Sequence, residues 1–113
     1  MPATPISVDV TINDKGEATY KSSDSGVQTD GTIDINEGED ATITFVPASG
    51  QQWFFVDPWV VIDPTGGDIS LVSGSATEVV IQDDNPVGPP STYTYCLQTT
   101  LGPLDPRIIN KGN

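Results

Sequence analysis

The chain has 113 residues, 35% of them apolar, with 11 glycines and 10 prolines, which suits one domain of short strands and tight turns better than a helical protein. Sixteen acidic residues face four basic ones, Lys15, Lys21, Arg107 and Lys111, for a formal charge of −12. Such a charge repels phosphate backbones and anionic lipid, so nucleic acid and membrane surfaces are excluded as direct partners, while a basic protein, a divalent cation or plain solvation fit it.

Residues 6–12 (ISVDVTI) alternate apolar and polar with period two, as a strand with one buried face does. Residues 13–16 (NDKG) carry turn chemistry and 17–21 (EATYK) resume extended character, which predicts a hairpin. A polar Ser, Asp and Gly stretch at 22–31 reads as a loop with a short strand near Val27. Next, 32–36 (TIDIN) and 41–46 (ATITFV) alternate again around the acidic turn 37–40, and this is the clearest hairpin signal in the chain.

Residues 51–63 form the most apolar region and the expected core strand, interrupted by Asp57-Pro58, where proline's missing N–H predicts a bend or bulge. Turn residues at 63–68 and 73–75 bracket a strand at 69–72, followed by a strand at 78–82. The proline-rich stretch 83–90 forbids regular structure. Residues 92–98 (TYTYCLQ) alternate once more, and 105–110 add a final short strand.

No window shows sustained helical periodicity with caps. The expectation is an all-β chain, one domain over residues 1–113: an antiparallel β-sandwich of about seven to nine short strands, immunoglobulin-like or cupredoxin-like, with every pairing antiparallel. No charged segment leads into an apolar run at the start and no apolar stretch approaches bilayer length, so the expected location is cytoplasmic.

The chain contains no histidine, which removes Ser–His–Asp and Cys–His catalysis and the commonest zinc or copper ligand. Cys96 has no cysteine to pair with and nothing near it in sequence to lower its pKa, so it reads as a buried structural thiol. The segment 34–40 places oxygen ligands at alternating positions, making Asp34, Asn36, Glu39 and Asp40 a calcium candidate. A glycine-centred acidic turn accounts for the same residues without metal, and Gly38 and Phe45 stand where an EF-hand loop places other residues. Asp83, Asp84 and Asn85 form a second oxygen-rich group.

Trp53, Trp59, Tyr93 and Tyr95 serve as a candidate binding surface or as core, with core favoured for at least two of the four. Three Asp-Pro dipeptides, at Asp57, Asp63 and Asp105, read as turn chemistry.

The acidic glycine turn before 41–45, and a Tyr-x-Tyr strand at 93–97 near the end, resemble cupredoxin-like sandwiches. Copper proteins of that fold use two His and a Cys, so the likeness implies architecture only. The repeated Asp-Pro dipeptides and the ending 105–110 (DPRIIN) resemble the small bacterial DP-EP proteins, a family without an assigned function, which implies no catalytic residues to carry over.

The functional expectation is a non-enzymatic protein, without cofactor, that binds another protein or assembles with itself through its sheet edges. An acidic nucleic-acid mimic and a calcium-dependent binding module are the alternatives.

Overall fold

A computed structural model describes residues 4–22, 26–35, 39–63, 69–84, 91–104 and 107–110. Ten strands and no helix are present among them: β1 (Thr4–Ile12), β2 (Ala18–Lys21), β3 (Ile33–Ile35), β4 (Asp40–Pro47), β5 (Phe55–Asp63), β6 (Ile69–Ser75), β7 (Glu78–Asp84), β8 (Ser91–Thr99), β9 (Gly102–Leu104) and β10 (Arg107–Asn110). They form two sheets, one in the order β2-β1-β4-β7-β6 and the other in the order β3-β10-β8-β5, with β9 also on β8.

β9 and β10 are two pieces of one line. Leu104 pairs with Leu97 and Arg107 with Thr94, so three steps along one strand match three along the other and the register is unbroken. Nine strand lines result, at the upper end of the expected number.

The alternation read from the sequence becomes the sandwich core. Ile6, Val8, Val10 and Ile12 of β1, Ala41, Ile43 and Phe45 of β4, and Val79 and Ile81 of β7 point inward from the first sheet. Ile33, Ile35, Tyr93, Tyr95, Leu97 and Ile108 point inward from the second. Phe45 and Tyr95 meet across the gap with ring centroids 5.1 Å apart. Each such buried side chain contributes roughly 1.5–3 kcal/mol by leaving water, so the inner faces supply the main force holding the sheets together.

The β1–β2 hairpin forms as expected, with Val10 opposite Tyr20. Its tip is held by Asn13, whose Oδ1 accepts from the N–H groups of Lys15 and Glu17, both at 2.9 Å, and Gly16 takes a positive φ of 81°. Val27 makes the short pairing anticipated near it, as an isolated bridge to Ile33.

Two expectations are corrected. β3 and β4 are not a hairpin, because they lie in different sheets. Not every pairing is antiparallel: β1 runs parallel to β4, from Thr4 beside Ala41 to Val10 beside Pro47, and β3 runs parallel to β10. Crossing from sheet to sheet lets two parallel strands meet without a helix between them, a route that counting turns in sequence does not reveal. The apolar region 51–63 does feed the core, as expected, but from a sheet edge. Trp53, Phe55 and Val60 are buried, but β5 stands at the edge of its sheet and its other face is open.

Smaller differences follow the same logic. Residues 73–75 belong to β6, and the turn into β7 falls at Ala76 and Thr77. β7 runs through Asp84, while 85–90 lie outside the described residues, as do the dipeptides Pro64 and Asp105-Pro106 in part or whole.

Candidate interaction surface

The four ends of the two sheets differ in length. β2 and β3, at one pair of ends, have 4 and 3 residues, whereas β6 and β5 have 7 and 9. Very short edges offer little backbone for another chain to pair with, and long ones offer more. The long edges lie beside one another: Phe55 N–H donates to the Ala76 carbonyl at 2.9 Å, tying β5 to the β6–β7 turn.

Bulges shape both edges. Between Phe55 and Val60, five steps of β5 run against two of β8, so three extra residues are extruded there. Within that segment the Asp57-Pro58 peptide is cis and Trp59 has a φ of 73°, a left-handed conformation that a bulky residue adopts only when its surroundings hold it. Its side chain packs against Gly74 of β6. A Cβ added at Gly74 would stand 2.3 Å from Cγ of Trp59, so the indole lies directly on the glycine backbone. In β6 a second bulge falls between Leu71 and Ser73, which leaves Val72 out of the ladder.

The consequence is an apolar surface. The large apolar side chains exposed among the described residues are Phe54, Val56, Val61, Leu71, Val72 and Leu101, from 38% at Val56 to 59% at Leu101. Five of these belong to 54–61 or to β6. Leu101 adjoins them, since Phe54 and Thr100 are joined by two hydrogen bonds, Phe54 N–H to Thr100 Oγ1 at 3.2 Å and Thr100 N–H to the Phe54 carbonyl at 2.9 Å. Exposed Asp57 and Asp63 rim the β5 part, and β6 itself carries no charge.

The aromatic residues singled out from the sequence do not make this surface. Trp53, Tyr93 and Tyr95 are buried, and Trp59 is half-buried against Gly74. Trp53 stacks edge-on to Phe55 at 5.1 Å and donates Nε1–H to Gln51 Oε1 at 2.7 Å. The Tyr95 hydroxyl donates to the Gly31 carbonyl at 2.6 Å. Loss of water around it, then the nearby Tyr20 and Asp30, push its pKa well above the usual value of 10.

The calcium candidate is not assembled among the described residues. Asp34 is on β3 in one sheet and accepts from Gln28 Nε2 at 3.2 Å, Asp40 begins β4 in the other, Glu39 is exposed, and Asn36 lies outside the described residues. No group of three or more acidic or sulfur ligands capable of holding a metal occurs among the described residues. Asp83 and Asp84 are neighbours in sequence but face opposite ways. Asp83 is buried beside Ala41 and Ile69, and Asp84 is exposed opposite Asp40.

Cys96 departs from its expected burial. It sits on the outer face of β8 opposite Val61, half-buried, with Gln98 Nε2 at 3.1 Å from its Sγ.

At the end of the sandwich where the β1–β2 tip meets 50–53 and 100–101, an open cleft of about 650 Å³ is lined by Asn13, Lys15, Gln51, Trp53, Thr100 and Leu101. Gln51 is fixed there: its Oε1 accepts from both Ile12 N–H, at 2.8 Å, and Trp53 Nε1–H. No helix among the described residues is long and apolar enough to cross a membrane. No protein-family model and no curated protein matches the chain.

Proposed function

We propose that the protein is a non-enzymatic binding or assembly module that joins another polypeptide through its β5–β6 side. The observation that carries this reading is the collection of Phe54, Val56, Val61, Leu71 and Val72 along the two long sheet edges, at the opposite ends of the sheets from the short edges β2 and β3. Exposed apolar side chains concentrated on one side of a small domain mark a place where something docks. The absence of histidine leaves carboxylates as the main ionisable groups, and they are scattered: Asp9 and Asp84 lie on the outer face of one sheet, Asp63 on the other, and Asp14 and Glu17 at the β1–β2 tip. That scatter supports association over mimicry of a phosphate backbone, which needs acids aligned on one face.

The test compares the wild type with Val61→Lys and Val72→Lys, both exposed sites where the fold loses little. Sedimentation velocity of the purified chain, and of the chain mixed with extract of its host, should show a larger species that both variants reduce. A monomer in both settings, with variants that sediment identically, would remove the reading.

A further inference from the structure

We infer that the β6 edge receives an extended, positively charged segment of a partner as an added strand, an inference that rests on the association reading above and specifies its occupant. β6 ends its sheet, and among the described residues no backbone hydrogen bond from 69–75 leaves the β7 ladder. β5 already lies against the far end of β6, where Trp59 rests on Gly74 and Phe55 N–H bonds the Ala76 carbonyl, so the open part of the edge is the exposed run 70–73. In an antiparallel strand alternate N–H and C=O groups point away from the paired neighbour, so that run presents donors and acceptors to an incoming strand. Along it, Leu71 and the bulged Val72 offer apolar contact, and no charged side chain intervenes. The bulge interrupts the row, which limits unbroken edge-to-edge pairing and makes Val72 a protruding feature for a guest to fit around.

Charge selects the guest. The chain carries −12 overall, and exposed Asp57, Asp63, Glu78 and Asp84 belong to β5 and β7, the strands next to β6. The described cationic side chains, Lys15 and Lys21, sit on the β1–β2 hairpin, four strand positions from β6. At about 4.8 Å per strand that is roughly 19 Å. The Debye length at physiological salt is about 8 Å, so those two lysines do little to offset the carboxylates beside β6. A second copy of this chain brings its own −12 to the same place and is opposed. A segment alternating basic and apolar residues is favoured on both counts, and the attraction also speeds its arrival.

The probe is a fluorescein-labelled heptapeptide alternating lysine and valine, followed by anisotropy at low and high salt. Binding is expected to weaken at least tenfold as salt rises, and at least tenfold again in Val72→Lys at fixed salt. Thr11→Lys makes the same charge change on exposed β1 and should leave binding within twofold. A form of the peptide methylated at alternate backbone nitrogens should not bind, because it cannot complete a ladder.

Equal binding of the methylated peptide would overturn strand addition, and equal binding of a glutamate–valine peptide would overturn the charge argument. Equal weakening by both lysine variants would remove β6 as the place. A self-dimer dissolved by Val72→Lys would replace the basic segment with a second copy while leaving the association reading intact. No binding of any peptide to wild type, alongside a Val72-dependent complex in host extract, would overturn only the occupant.

Discussion

At the scale of single residues, Gln51 shows how one polar side chain closes the end of the sandwich. Its Oε1 accepts from Trp53 Nε1–H and from the β1 backbone at Ile12, so the loop before β5 is fastened to the first sheet. Gln51→Leu keeps the volume but leaves both donors unmatched in a partly buried place, and is expected to cost about 1–3 kcal/mol in urea denaturation. Gln51→Glu keeps an acceptor and should cost less; equal losses would show that packing, not the hydrogen bonds, fixes this loop. Tyr95 gives a pH-dependent case. Its folded pKa is raised above the unfolded value near 10, so its contribution is fully present below pH 10 and declines as pH rises further, because the unfolded chain loses the proton first. Tyr95→Phe should lose about 1 kcal/mol at neutral pH with the bond to Gly31, and should flatten the alkaline decline followed by circular dichroism. An unchanged decline would assign it to other groups.

Elements are where the sequence was readable in part, and β5 shows both sides. Alternation in 6–12, 41–46 and 92–98 identified β1, β4 and β8, and for β1 and β4 the buried face as well, because a period of two has one structural meaning when one face is wet. In 92–98 Thr, Tyr and Cys are all amphipathic enough to suit either side, and the face with Tyr93, Tyr95 and Leu97, not Cys96, is the buried one. The run at 51–63 had no such alternation, and a continuous apolar stretch suits a doubly covered strand. It is instead an edge whose open side carries Val56 and Val61, and the Pro58 bulge foreseen from the sequence is part of what turns it. Sheet membership was not legible at all: nothing in 32–46 distinguishes a hairpin from a crossing between layers, since both need the same turn residues. For the same reason the exposed surface was missed. It is assembled by β5 meeting β6 from the opposite sheet, and three of the four aromatic residues weighed for binding, Trp53, Tyr93 and Tyr95, lie in the core. The junction is testable at Gly74, where Gly74→Ala should cost about 1–3 kcal/mol by driving a methyl into Trp59. Combined with Trp59→Ala the cost should nearly vanish, so a double-mutant cycle that is additive would deny that the two residues touch.

For the whole molecule, the net charge of −12 acts against the compact state, because folding brings together carboxylates that the open chain keeps apart. Only exposed charges closer than the Debye length matter, about 30 Å at 10 mM salt but roughly 3 Å at 1 M, so added salt removes most of the repulsion. Thermal stability should therefore rise with sodium chloride, by roughly 4–6 °C for each kcal/mol relieved in a domain of this size. The repulsion also has an identifiable local part. Asp40 and Asp84 stand directly opposite on β4 and β7 at the outer face of the first sheet, and like charges in that relation destabilise a ladder. Asp40→Lys replaces the clash with an opposite-charge pair and is expected to stabilise the fold by about 0.2–1 kcal/mol at low salt. The gain should shrink as salt rises, since both side chains are at least partly exposed. Melting temperatures of the two proteins across the salt series decide the matter: curves that converge at high salt place the strain in the carboxylates, whereas a constant separation would assign the effect of Asp40→Lys to strand propensity rather than to charge.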